Sequence, residues 1–165
     1  MQLVLMRHGK SDWDASYGPD HDRPLADRGV RSARLMGRLL SSVDQAPDLV
    51  ITSSAVRAHR TAILAAEAGA WDCEVITEGS IYGAGPRSVL DTVSRRAGSA
   101  QRVLVVGHEP TWSNLVHELV GARVEMKTAS VAGVGLMIDE WASLADASGW
   151  LDYLLHPRMF SFLPH

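Results

Sequence analysis

Residues 2–11 read Q-L-V-L-M-R-H-G-K-S, and this stretch decides how the rest of the chain is interpreted. Residues 2–6 form a short apolar run without helical spacing, which predicts a buried β-strand. Arg7, His8 and Gly9 follow, and the glycine is typical of a tight turn. In an open α/β sheet, His8 would lie at the edge where such folds bind their ligands. Taken alone, the tripeptide also fits an ordinary surface turn, so the choice between a surface turn and a ligand site depends on the rest of the sequence.

The composition is that of one globular domain spanning residues 1–165. Hydrophobic residues make up 46% and charged residues 21% of the chain, which is ordinary for such a domain. The net charge of −3 indicates neither a nucleic acid nor an anionic membrane as a partner. The one cysteine, Cys73, excludes an intramolecular disulfide and fits a reducing compartment. The chain begins with a strand-like run rather than a leader, and no apolar run reaches roughly 18 residues. We therefore expect a cytoplasmic protein.

Short apolar runs alternate with amphipathic segments along the first 120 residues. Helices are predicted after each of the first four strands, the first of them capped by Asp27. This alternation predicts a three-layer α/β/α domain with a mainly parallel central sheet. Two later runs without an intervening helix predict an antiparallel extension at one sheet edge. The predicted strands are residues 2–6, 49–52, 74–77, 102–106, 132–138 and 150–155, and the predicted helices are residues 28–40, 58–69, 86–95 and 112–119.

Polar side chains follow three of the predicted strands. Arg7 and His8 follow the first, a Ser-Ser pair and Arg57 follow the second, and His108 follows the fourth. Because the carboxyl ends of parallel strands share one rim, we expect these groups to converge. The alternative for the second turn is that the serines cap a helix and Arg57 lies in solvent. Residues 12–22 form a long loop after the first strand, and such loops are often functional.

Two arginines and two histidines in one pocket suit a phosphate group. Guanidinium groups bind phosphate oxygens in pairs and stay charged at all relevant pH values. One histidine can attack phosphorus and form a covalent phosphohistidine, while the other stabilises the transferring oxygens. Paired histidines also bind metals, but no acidic or cysteine ligand lies at a suitable spacing beside these two. We expect no metal and no other cofactor.

The ordered set of motifs resembles the histidine phosphatase superfamily, whose fold is also called phosphoglycerate mutase-like. The motifs are Arg7-His8-Gly9, the Ser-Ser-x-x-Arg-Ala-x-x-Thr-Ala pattern of residues 53–62, and Gly107-His108. Within that superfamily the chain looks most like the small SixA-type phosphohistidine phosphatases. Residues 7–13, 22–29, 107–110 and 156–158 carry this finer likeness. The resemblance implies a nucleophile at His8, a phosphate pocket of Arg7, Arg57 and His108, and substrate contacts at Gly9, Ser11 and Ser54.

Two positions depart from the pattern of the mutase-type members. Those members usually read Arg-His-Gly-Glu-Ser-x-x-Asn, where this chain has Lys10 and Asp14. They also supply a general acid from an insertion that this chain largely lacks. Glu78 is the nearest candidate for that acid, with an exposed turn residue as the alternative, and Glu109 is a weaker candidate. A phosphohistidine substrate needs little acid help, because an imidazole with a pKa near 6.5 leaves far more easily than an alkoxide.

Three functions are compatible with these residues. The first is a metal-independent phosphatase that forms phospho-His8 and hydrolyses phosphohistidine in a protein. The second is a phosphatase for a small phosphorylated metabolite. The third, a non-catalytic phosphoprotein-binding module, is disfavoured because all four pocket residues are present.

Overall fold

The computed structural model describes residues 1–160, which form a six-stranded sheet covered by helices on both faces. The first helix begins at Asp27, and Ala26 rather than Asp27 occupies its N-cap position. Short 3-10 turns lie at Asp20–Asp22, Gly79–Ile81, Trp141–Asp146 and Pro157–Phe160. The strands and helices are β1 Gln2–Arg7, α1 Asp27–Ser42, β2 Leu49–Ser53, α2 Val56–Gly69, β3 Glu74–Glu78, α3 Pro86–Arg96, β4 Arg102–Gly107, α4 Thr111–Val120, β5 Val131–Leu136 and β6 Gly149–Leu155.

The strands lie in the order β3-β2-β4-β1-β5-β6. The first four of these are parallel, whereas β5 and β6 pair antiparallel to their neighbours. This confirms the three-layer α/β fold with a mainly parallel sheet and an antiparallel extension. The fifth strand is shorter than predicted and ends at Leu136. The expected single domain includes residues 161–165, which lie outside the described residues.

Both faces of the four inner strands of the sheet are buried. In β1, Leu3 and Leu5 pack on one side with α3 and α4, and Val4 and Met6 pack on the other with α1 and α2. Strands covered on both faces need apolar side chains at every position, which explains the continuous apolar run that opens the sequence. Within residues 1–160, no helix is long and apolar enough to cross a membrane.

Glycines allow the site-bearing segments to pack backbone against backbone. A Cβ atom on Gly9 would lie 2.8 Å from the carbonyl oxygen of Gly29, in the first turn of α1. A Cβ atom on Gly37 would overlap the backbone of Ala65, where α1 crosses α2. The turn after β1 and the helix after β2 are therefore both held against α1.

Candidate active site

The pairing of β1 with β4 places the two histidines side by side. Arg7 lies opposite Gly107 in the parallel register, so His8 and His108 are each the first residue beyond the paired strands. The His8 amide donates a hydrogen bond of 3.0 Å to the carbonyl oxygen of Gly107. The centroids of the two imidazole rings are 5.1 Å apart.

The neighbouring strand β2 adds a serine and an arginine to this edge. The hydroxyl of Ser53 lies 2.9 Å from Nε2 of His108. Helix α2 begins at Val56, so Arg57 lies in its first turn, where only 5% of the residue is exposed. The structure thus brings together the ends of the three strands that the sequence predicted to converge.

His8 is held in one tautomer. Its Nδ1 lies 2.7 Å from the carbonyl oxygen of Gly9. A carbonyl oxygen only accepts hydrogen bonds, so we assign the proton to Nδ1 and the lone pair to Nε2. Burial lowers the pKa of His8 from 6.5 to about 3, assisted by His108, Arg57 and Arg7 and opposed by the bond to Gly9. The imidazole is therefore neutral at neutral pH, as a nucleophile requires.

The second imidazole is neutral for the same reason. Burial, followed by the charge of Arg57, lowers the pKa of His108 from 6.5 to about 4. The negative charge of Asp20 opposes this shift without cancelling it. A neutral ring can hydrogen-bond an oxygen of a bound group as a neutral donor or acceptor. The permanent positive charge of the site therefore comes from its arginines.

Each of these arginines has a buried donor that lacks a partner. Nη1 of Arg7 donates to the carbonyl oxygen of Met126 at 2.8 Å. Nη1 and Nη2 of Arg57 donate to the carbonyl oxygen and Oδ2 of Asp20 at 2.6 and 2.9 Å. Within residues 1–160, the Nε atoms of both arginines are buried and make no hydrogen bond. Buried unpaired N–H groups are costly, and an oxyanion would satisfy them.

Asp20 is part of the site although sequence reasoning did not identify it. Its carboxylate binds Arg57, accepts a 3.0 Å bond from Nε of Arg23, and accepts a 3.3 Å bond from the hydroxyl of Tyr82. Burial alone would raise the pKa of Asp20, but the arginines and Tyr82 outweigh it and lower the pKa. The only signal in the sequence was the length of the loop after β1. The carboxylate of Asp20 is thus already bound to the guanidinium group of Arg57.

The amide of Gly9 is part of a chain of hydrogen bonds that joins two segments of the site. It donates to Oγ1 of Thr61 at 2.9 Å, and the Thr61 hydroxyl donates to the carbonyl oxygen of Arg57 at 2.6 Å. Thr61 is fully buried and ties the turn that carries His8 to the helix that carries Arg57. The predicted substrate contact of Gly9 remains a prediction, since its amide has a protein partner.

The two predicted substrate-binding serines also have protein partners. The hydroxyl of Ser11 accepts a hydrogen bond from Arg23 and is buried. The hydroxyl of Ser54 lies 3.0 Å from Nε2 of His21. The serine that reaches a site histidine is Ser53, the last residue of β2. Roles for Ser11 and Ser54 in binding substrate also remain predictions.

Within residues 1–160, the carboxylates of the two candidate acids hydrogen-bond to groups other than His8 and His108. Glu78 forms an ion pair with Arg96, and its side chain is 14% exposed. Glu109 accepts hydrogen bonds from the Ser113 hydroxyl at 2.5 Å and from the Met126 amide at 3.2 Å. A general acid has to reach the leaving group of the substrate. The roles of both residues as acids stay untested predictions.

Residues 1–160 contain no cluster of three histidine, cysteine or acidic side chains that could hold a metal ion. The predicted metal independence of the reaction needs a measurement of its own.

Comparison with known proteins identifies the family. A model of the histidine phosphatase superfamily, branch 1, matches residues 3–80. An uncharacterised protein of Mycobacterium tuberculosis strain H37Rv is 40% identical over 127 residues, which cover 77% of this chain and 76% of that protein. The chain belongs to the histidine phosphatase superfamily.

Solved structures refine the likeness. The provisionally named phosphohistidine phosphatase SixA from Nakamurella multipartitia superposes with a TM-score of 0.82 at 32% identity, covering 94% of this chain and 95% of that one. The protein histidine phosphatase SixA in complex with tungstate gives a TM-score of 0.78 at 23% identity, with coverages of 98% and 100%. A mycobacterial glucosyl-3-phosphoglycerate phosphatase shares the fold, with a TM-score of 0.68 at 17% identity and coverages of 92% and 97%. Within its superfamily, the chain is therefore SixA-like.

Proposed function

We propose that this protein is a metal-independent phosphatase that forms a covalent phosphohistidine on His8 and hydrolyses phosphohistidine in proteins. The observation that carries the proposal is the state of His8. Its Nδ1 is bonded to a backbone carbonyl, and its neutral ring lies beside His108 and the buried arginines. This leaves the Nε2 lone pair as the attacking group.

The reaction proceeds in two transfers. Nε2 of His8 forms a bond to phosphorus while the phosphorus–nitrogen bond of the substrate breaks. The substrate ring carries a proton from solvent on its other nitrogen, so it keeps the electrons of that bond and leaves as neutral imidazole. Water then attacks phosphorus, the bond to Nε2 of His8 breaks with its electrons returning to the imidazole, and phosphate leaves with the oxygen and a proton of the water. The guanidinium groups of Arg7 and Arg57 bind the equatorial oxygens, and His108 hydrogen-bonds a transferring oxygen. Their positions are fixed before the reaction, which lowers the cost of stabilising the developing charge.

The carboxyl groups at this edge favour a substrate with a good leaving group. Asp20, Glu78 and Glu109 each bind hydrogen-bond donors of the protein, and the pKa of Asp20 is lowered. A carboxyl group with a lowered pKa, such as that of Asp20, is a poor proton source for an alkoxide. A phosphohistidine ring that solvent has protonated on its other nitrogen leaves as neutral imidazole without such help. This supports a phosphorylated protein as the substrate, and the reducing compartment that the one cysteine suggests supports a cytoplasmic location.

Covalent labelling tests the nucleophile. We expect His8→Ala to abolish both the hydrolysis of a phosphohistidine protein and the transfer of its radioactive phosphate to the enzyme. His117→Ala, at an exposed histidine in α4, is the matched control and should retain both. EDTA should leave the parent enzyme fully active. Acid-labile labelling that persists in His8→Ala would refute the assignment.

Substrate class is tested by comparing turnover of a phosphohistidine protein with turnover of a panel of alkyl phosphates. We expect the phosphohistidine to be strongly preferred, and Glu78→Gln to leave its hydrolysis unchanged. Efficient hydrolysis of one alkyl phosphate that Glu78→Gln abolishes would instead establish a small-metabolite phosphatase with Glu78 as its acid.

A further inference from the structure

A basic cavity lies beside the proposed phosphate pocket and shares Arg7 with it. The cavity has a volume of about 360 Å³. Its lining includes the cations Arg7, Lys10, Arg28, Lys127 and Arg158, with a carboxylate from Glu125. The whole chain carries a net charge of −3, so this concentration of positive charge is local. The proposed chemistry accounts for Arg7 and gives no role to the other four cations.

Several separate segments supply these cations. Lys10 belongs to the turn after β1, Arg28 to the first turn of α1, Lys127 to the connection between α4 and β5, and Arg158 to the turn after β6. Arg7 connects the cavity to the site. Its Nη1 donates to the carbonyl oxygen of Met126, and the two chain neighbours of Met126 both line the cavity. A group bound in the cavity would therefore lie next to the phosphate pocket.

The positive charge continues along α1. At 100° per residue, Arg28, Arg31, Arg34 and Arg38 fall within an arc of about 120° and span about 15 Å along the helix axis. The first three are exposed, and Asp27 is the only acidic residue of this helix. A stripe of this length extends beyond the reach of a small metabolite held in the cavity. Its dimensions match a protein surface.

We propose that the cavity and the arginine stripe of α1 form a docking surface for an acidic face of the phosphoprotein substrate. The proposal rests on the proposed phosphatase function and names the chemistry of its partner. Carboxylate side chains enter the cavity, where arginines bind them through paired hydrogen bonds. The stripe attracts the partner over a longer distance and raises the rate of productive encounter. Lys10, where the sequence departs from the mutase pattern, contributes charge to this surface.

Charge reversal at two rim positions tests the docking surface. The variant is Arg28→Glu with Arg158→Glu, both exposed and both outside the phosphate pocket. The matched control is Arg87→Glu with Arg95→Glu, which makes the same charge change on α3, across the sheet from α1. The probes are two phosphohistidine peptides of about twenty residues, long enough to span the stripe, flanked either by glutamates or by glutamines. A small aryl phosphate ester reports on the pocket alone.

At low salt, the parent enzyme should hydrolyse the glutamate-flanked peptide with a kcat/KM about tenfold above that for the glutamine-flanked peptide. The Arg28/Arg158 variant should lose this preference, while the control pair keeps it. All three proteins should turn over saturating aryl phosphate with the same kcat, which shows that the variants are folded. Added salt should weaken the preference of the parent enzyme.

Equal kcat/KM for the two peptides in the parent enzyme, or an unchanged preference in the Arg28/Arg158 variant, would overturn the docking proposal alone. Tighter inhibition by a bisphosphate that depends on Arg28, without a peptide preference, would assign the cavity to a small ligand and also overturn it. If the parent enzyme hydrolyses neither peptide but does hydrolyse alkyl phosphates, the proposed function fails and the docking proposal fails with it.

Discussion

Replacing Asp20 with asparagine should strengthen phosphate binding, because this carboxylate competes for the arginine that we assign to the substrate. Asp20 accepts hydrogen bonds from Arg57 through both its backbone oxygen and Oδ2, and from Arg23 through Oδ1. A phosphate that binds both Nη atoms of Arg57 has to displace the two hydrogen bonds from Arg57 to Asp20. The Asp20→Asn substitution keeps the shape of the side chain and removes its charge.

The size of the effect follows from the exposure of Asp20. Its side chain is 49% exposed, so each of its two arginine pairs contributes only about 0.2–1 kcal/mol after solvent screening. A phosphate on Arg57 displaces the Arg57 pair and leaves the Arg23 pair in place, so the displacement weakens phosphate binding by up to about fivefold. We expect the inhibition constant for inorganic phosphate to fall by up to about that factor in Asp20→Asn.

The assay is competitive inhibition by inorganic phosphate during turnover of an aryl phosphate at neutral pH. Asp22→Asn is the matched control, because Asp22 is also exposed in the same turn and its carboxylate contacts His21 rather than an arginine. An inhibition constant that is unchanged or higher in Asp20→Asn would refute the reasoning. It would mean that the carboxylate positions Arg57 for phosphate instead of competing with it.

Three further predictions concern the scaffold. The pKa of His8 is lowered from 6.5 to about 3, so between these pH values the unfolded chain binds a proton that the folded chain does not. The contribution of His8 to the free energy of unfolding is therefore fully present above pH 6.5 and is lost as the pH falls below it. In urea unfolding between about pH 6 and pH 5, the parent should lose up to about 1.4 kcal/mol per pH unit more than His8→Asn. Thr61→Val leaves the buried amide after His8 unpaired and should lower the free energy of unfolding by about 1–3 kcal/mol, and a value within error of the parent would contradict the assigned hydrogen bond. Gly37→Ala forces a methyl group against the backbone of Ala65 and should lower the melting temperature by several degrees, whereas Gly85→Ala, which meets open space, should not.

The sequence predicted the fold well because its signals are periodic and local. Apolar runs marked most of the strands, and the strand-helix alternation implied parallel pairing, so the convergence of His8, Arg57 and His108 followed from the general geometry of such sheets. Neither alternation nor spacing determines strand order or register. The placement of His8 directly beside His108 depends on the pairing of β1 with β4 and required the structure.

Two details of the site required the structure. The second strand was predicted to end at residue 52. In the structure β2 continues to Ser53, and this serine reaches His108. The role of Asp20 in the site could not be predicted from the sequence. Its position depends on a contact with Arg57, which is distant in sequence, and on a contact with Arg23 within an irregular loop. Local propensities contain no information about such contacts.

The backbone register between β1 and β4 has a consequence for how this enzyme could change its substrate. Hydrogen bonds between two central strands fix the spacing of His8 and His108, whereas Asp20 and Lys127 lie in connections between the strands. Substitutions and insertions in those connections can therefore alter which molecule is accepted without moving His8 relative to His108. The chemistry and the selectivity of the site are in this sense separately adjustable.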